Sequence, residues 1–227
     1  MYIDSYYLIL VVPTLILSMI AQIMVKSTFA KYSKIACSKN ITGADAAQFL
    51  LKANSINDVA IEPVKGSLTD HYDPRNKKLR LSEPVYGRAS IAAVGVAAHE
   101  IGHAIQHARS YGPLVLRSTL VPAANIGSSL GPWIAIAGLL LSYSPLLYIG
   151  ILLFGAAVLF YVVTLPVEFN ASARALAILK SGNVLTQEEL NGVKKVLTAA
   201  ALTYVASALT AIMSLLRLIL LANNRRR

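Results

Sequence analysis

The strongest constraint on this chain is a set of apolar stretches, each about as long as a bilayer is thick. They fall at about 6–25, 117–141, 145–165 and 197–221. A hydrocarbon core of ~30 Å takes roughly 20 apolar residues in a helix, and within it every backbone N–H and C=O must be bonded inside the protein. Four helical spans are therefore expected. Only 14% of the residues are charged, against roughly 25% in soluble domains. The first stretch begins beside Asp4 rather than a basic segment and is long enough to span, so it reads as a retained span and not as a cleavable signal. Its Pro13 is tolerable in a membrane helix.

The net charge is +10, and its sources flank the apolar runs. Lys26, Lys31, Lys34 and Lys39 follow the first span, which by the positive-inside rule places the next segment in the cytoplasm and the N-terminus outside. Four spans then put Arg225, Arg226 and Arg227 outside as well, against the rule. The first span usually dominates orientation, so the cytoplasmic assignment is kept. No aromatic-plus-basic RNA motif or zinc-finger spacing accompanies the charge, so the partner it implies is the lipid bilayer and not nucleic acid. The single cysteine, Cys37, permits no internal disulfide, as suits a reducing compartment, and no histidine lies between Ser33 and Asn40 to make it a nucleophile.

The polar parts, about 26–116 and 166–196, have local start and stop signals. Thr42 and Asp45 form a near capping box for a helix to about Asn54, and Thr186 with Glu189 repeats the pattern for a helix that can run into the last span. Val59 to Glu62 reads as a short strand. Leu68–Tyr72 and Lys78–Ser82 read as a hairpin around Asp73-Pro74-Arg75-Asn76. Pro166 is expected to break the third span, with a new helix from Glu168 to Lys180. The fold class is mainly α: a bundle of about four spans with a small α+β cytoplasmic part, and residues 1–227 forming one membrane domain.

Chemistry concentrates on a helix expected from about Ser90 to Ala108. Three of the four histidines lie there, and it reads His99-Glu100-Ile101-Gly102-His103. At 3.6 residues per turn, His99 and His103 stack on one face about 6 Å apart and can converge on one zinc ion. Glu100 sits about 100° round the helix, beside the ion, where a carboxylate can take a proton from an acidified water and give it to a leaving amine. Two histidines and a glutamate after ten apolar residues are costly unless they have partners or work.

A catalytic zinc needs a third ligand. His107 is about 12 Å along the axis from His99, and Gln106 stands where the pattern with a distant third histidine needs glycine. His107 is left as an outer-sphere, substrate-side or surface residue. No later Asp-Gly pair offers an aspartate. Glu168 is the best remaining candidate, because an acid among Leu165–Phe169 is expensive unless paired; the alternative is an acid favoured at a helix N-terminus. Asn170 and Arg174 are outer-sphere or structural candidates. Asp70 and His71 are candidates for lining a cleft, with His71 equally readable as a solvated strand residue, and Asp73 reads as a turn residue. The hairpin could also offer an edge strand to an extended peptide.

On these stretches the chain resembles the YugP-type neutral zinc metallopeptidases, membrane proteins found mainly in bacteria. The matching segments are Leu68 to Pro74, Ala97 to His107, Thr164 to Ser172 and Ala199 to Ala206. One departure is Ala173, where an arginine is expected. The wider likeness is to gluzincin-type membrane proteases such as the heat-shock protease HtpX and the CAAX prenyl protease, which place a glutamate ligand at the start of a helix reading Glu-x-x-Ala; Glu168 and Ala171 match that spacing. The resemblance implies His99, His103 and Glu168 as ligands of one zinc ion and an active site facing the cytoplasm of a bacterial membrane. The expected function is a zinc-dependent endopeptidase with Glu100 as general base, acting on membrane or membrane-associated polypeptides. The competing reading is a non-catalytic scaffold or chaperone-like protein with a structural metal. A transporter is disfavoured, because the spans lack scattered polar residues and Arg217 is the one clear charge in the last span, expected to snorkel.

Overall fold

The computed structural model describes residues 4–224. A π-helical turn, Tyr7–Val11, leads into α1 (Val12–Tyr32), followed by α2 (Gly43–Ala53). Three strands, β1 (Ala60–Val64), β2 (His71–Asp73) and β3 (Lys78–Ser82), come next. Then follow the short α3 (Glu83–Tyr86), the motif helix α4 (Ile91–Ala108), α5 (Gly112–Leu140), α6 (Ser144–Ser181) and α7 (Gln187–Asn224). Among the described residues, four helical stretches are long and apolar enough to cross a membrane: Tyr7–Tyr32, α5, α6 and α7.

One expectation is corrected. Pro166 does not break the third span: α6 runs unbroken from Ser144 to Ser181 with the proline inside. A proline removes one backbone bond, and in apolar helices neighbouring groups absorb that loss, so the helical pattern on both sides prevails. Arg217 is paired within the fold. Its Nε and Nη2 lie 2.8 Å and 2.5 Å from Asp4 Oδ2, and its guanidinium lies 5.1 Å from the Tyr7 ring centroid. The Arg225–Arg227 tail lies outside the described residues.

The chain forms two compact units. One holds the N-terminal stretch through Gln22, Val115–Pro166 and the stretch from Leu202. Its core includes Ala135, Leu147, Phe154, Ala157 and Leu218. Gly127 and Gly138 of α5 lie against the backbone of Leu153 and Leu147 of α6, the close approach that small residues permit where no apolar solvent difference drives helices together.

The other unit holds Ile23–Leu114 and Val167–Ala201. Its sheet has the order β1-β3-β2, with β1 parallel and β2 antiparallel to β3. Asp73 builds the hairpin turn: its carboxylate accepts from the amides of Arg75 and Asn76 and from Asn76 Nδ2, and these bonds hold its pKa down at about 2. Both capping boxes form. Thr42 and Asp45 exchange bonds at the start of α2, and Thr186 and Glu189 do so before α7. Glu189 also accepts from Ser38 N and Oγ. Ser90 caps α4 by accepting from Ala93 N. The apolar half of α4 is buried among Leu50, Leu79, Leu81, Val85, Leu179 and Val193. That burial fixes the helix and turns its histidine face toward α6.

Candidate metal centre

His99 and His103 are one turn apart on α4, with ring centroids 4.8 Å apart and planes at 85°. Glu168 of α6 lies opposite, 2% exposed. Its Oε2 is 3.3 Å from His99 Nε2 and 3.5 Å from His103 Nε2. Among the described residues, this is the one group of three or more histidine, cysteine or acidic side chains able to share an ion, with one donor from each within 4.8 Å of the others. Donors on a tetrahedron at 2.0–2.1 Å from zinc would be ~3.3–3.4 Å apart. The separations of 3.3 Å and 3.5 Å lie close to that spacing, and two imidazoles with one carboxylate are a donor set that suits zinc. Because α6 is continuous, Glu168 lies far inside a helix, which removes its reading as an N-terminal acid favoured by the dipole.

The reach across to α6 depends on Gly102, whose Cα lies against the backbone of Ala171. Each imidazole is also held from behind. His99 Nδ1 lies 3.2 Å from Ser172 Oγ, and His103 Nδ1 lies 3.0 Å from Gln106 Oε1. Burial alone would lower the pKa of His103, but the Glu168 carboxylate and the charge of Glu100 outweigh it, and the imidazole is raised above its ordinary value.

Glu100 is buried beside the histidines, and its Oε2 accepts the Tyr72 backbone amide at 3.0 Å. Tyr72 is the middle residue of edge strand β2, so this amide faces away from β3. It is the amide an added peptide strand would use, and Glu100 already engages it. The Tyr72 hydroxyl lies 2.9 Å from His107 Nδ1, which places His107 beside Tyr72 and outside the group of His99, His103 and Glu168. Burial raises the Tyr72 phenol above its usual value.

Asp70 is drawn inward. It accepts from Ser82 N at 2.7 Å and Ser82 Oγ at 2.9 Å, tying the start of β2 to the end of β3. Burial raises its pKa against those bonds, and the nearby charge of Glu100 adds to the rise. His71 is exposed, with Nδ1 2.8 Å from Thr69 O and Nε2 3.3 Å from Arg80 Nη1. Asn170 Oδ1 accepts from Gln106 Nε2 and from Arg174 Nε, so both α6 candidates stand behind the histidines.

Sequence reasoning missed Gln106, Ser172 and Tyr72. The first two had a usable signal: Gln106 is three residues after His103, and Ser172 four after Glu168, each on its ligand's face. The Tyr72 amide had none, since a backbone donor depends on where the hairpin docks.

The chain matches, over residues 7–223, the family described as "Putative neutral zinc metallopeptidase". It belongs to that family. Among its relatives, it is 50% identical over 220 residues to the "Putative membrane protease YugP" of Bacillus subtilis (strain 168), covering 97% of this chain and 98% of that one. No solved structure matches it.

Proposed function

We propose that this protein is a membrane-embedded zinc endopeptidase of the gluzincin type. Its polar unit is a small zincin-like α+β domain, and its substrates are membrane or membrane-associated polypeptides. The observation that carries the reading is the approach of Glu168 Oε2 to both histidine Nε2 atoms at the spacing of zinc donors. The lysines that follow the first span support an active site on the cytoplasmic side of the membrane.

His99, His103 and Glu168 would hold the ion. When bound, zinc supplies a Lewis acid and brings a water's pKa to about 7. Glu100 manages the proton. The Tyr72 amide holds its Oε2, and among the described residues no protein donor takes Oε1, which is left to accept the proton and return it to the departing amine. Burial around Glu100 and His103 strengthens each of these interactions. His107 and the Tyr72 hydroxyl extend the same helix face toward the substrate.

The test compares wild type with Glu100→Gln in detergent. Zinc per chain is measured beside cleavage of a solubilised membrane-protein mixture, read as new N-termini by mass spectrometry. Glu100→Gln is expected to keep about one zinc per chain, with cleavage falling roughly 10²–10⁴-fold. Equal cleavage by the two proteins would remove Glu100 from the reaction. Absence of cleavage by zinc-loaded wild type, together with wild-type behaviour of Glu100→Gln in cells, would favour the scaffold reading.

A further inference from the structure

Gln106 is a fully buried amide on α4 that the zinc chemistry itself does not call for. Its Nε2 donates to the Val167 carbonyl at 2.8 Å and to Asn170 Oδ1 at 3.1 Å. A carbonyl only accepts, so the NH2 end must face Val167. The Asn170 oxygen is fixed independently: it also accepts from Arg174 Nε, a donor with no acceptor capacity, at 2.7 Å. The other end of Gln106 is therefore oxygen, and it faces His103 Nδ1 at 3.0 Å. Only a protonated Nδ1 can serve that oxygen. In the neutral ring the lone pair then lies on Nε2, the nitrogen that faces Glu168.

We infer that Gln106 is a positioning residue of the metal centre, holding His103 in the tautomer that ligates through Nε2 and setting its register against Glu168. The register arises because Val167, which Gln106 grips, is the residue before Glu168, so one amide ties a ligand on α4 to the backbone that carries the ligand on α6. Arg174 anchors the far end through Asn170, its guanidinium 5.9 Å from the Tyr111 ring centroid. Without this bridge, the ring of His103 is free to rotate or to place its proton on Nε2, and each zinc ion bound must first reverse that. The inference rests on His99, His103 and Glu168 being zinc ligands.

Gln106→Met keeps the side-chain length and removes all three bonds. Zinc affinity of the folded, detergent-purified protein is measured by competition with a chromophoric chelator, and Co²⁺ absorption reports ligand geometry. The variant is expected to bind zinc roughly 10–100-fold more weakly than wild type, with an altered cobalt spectrum. A merely structural glutamine would lower thermal stability and leave the zinc affinity and cobalt spectrum of the folded protein unchanged, which would overturn the inference. Should Gln106→Met fail to fold, Asn170→Ala removes one of the two groups that orient the amide and is expected to give a smaller loss in the same direction; unchanged affinity there counts against the bridge. In metal-free wild type, at a pH above the raised value where the His103 ring is neutral, ¹⁵N-histidine spectra are expected to show its one proton on Nδ1, and a neutral ring with that proton on Nε2 would overturn the inference. Wild type that binds no zinc would overturn the ligand assignment and this inference together, whereas tight zinc in both wild type and Gln106→Met would overturn this one alone.

Discussion

Gly102 and Ala171 meet backbone to backbone: a Cβ on Gly102 would come within 2.5 Å of the Ala171 carbonyl oxygen and 3.0 Å of its Cα. The contact lies between α4 and α6, one residue before His103 on one side and three residues past Glu168 on the other. Because the clash is with backbone, no rotamer change can relieve it, and the helices must separate by an ångström or so. Gly102→Ala is therefore expected to cost about 1–3 kcal/mol in stability, as overpacking does. It is also expected to lower zinc retention more than a surface substitution of equal stability cost. Thermal unfolding with and without chelator, together with zinc per chain, checks this. Wild-type zinc content and stability in Gly102→Ala would show that the close approach is not needed.

The same contact shows where sequence reading stopped. The two histidines and Glu100 were legible because helical periodicity alone puts them on adjoining faces. Glu168 was legible as an acid too costly to leave unpaired among apolar residues. The capping boxes at Thr42 and Thr186, the turn at Asp73 and the hairpin were legible because their bonds are local. What failed was long range or cooperative. Pro166 carries a strong local signal to stop a helix, and the apolar context on both sides overrode it. Gly102 looked like a filler residue inside the motif, since the chain it touches is about seventy residues away. The parallel pairing of β1 with β3, and the Tyr72 amide bonded to Glu100, likewise depend on docking and not on any local pattern.

The pKa of His103 gives a pH dependence with a definite sign. In the metal-free protein the imidazole is raised above its unfolded value, so the stability it contributes is present below about pH 6.5 and is lost as pH rises through the folded value. A metal ligand must be neutral, so zinc has to displace that proton at acid pH. Below the raised value, zinc affinity is expected to fall about tenfold per pH unit for this one proton, and above it to level off. The gap in melting temperature between zinc-loaded and chelator-treated protein should therefore widen from about pH 6 to about pH 8. A gap that is constant or narrows over that range would show that His103 is not displaced from a protonated state.

The ion pair of Asp4 with Arg217 is another place where charge is enclosed, and it gives the last test. Each side chain is only 11% exposed, Arg217 gives Asp4 Oδ2 two donors, and the Tyr7 amide bonds Asp4 Oδ1 at 2.9 Å. A pair so enclosed gains little over an apolar replacement of both partners, but removing one partner strands the other and typically costs about 3–5 kcal/mol. Asp4→Ala is thus expected to destabilise the protein markedly, because the Arg217 guanidinium loses the carboxylate that accepts from two of its donors. Arg217→Met added to Asp4→Ala should recover much of that loss by removing the charge that the carboxylate balanced. Thermal unfolding of the two single variants and the double variant in one detergent measures the coupling. Additive losses, with the double variant worse than either single one, would mean that Arg217 finds water or headgroups unaided and that the pair does not hold the first and last spans together.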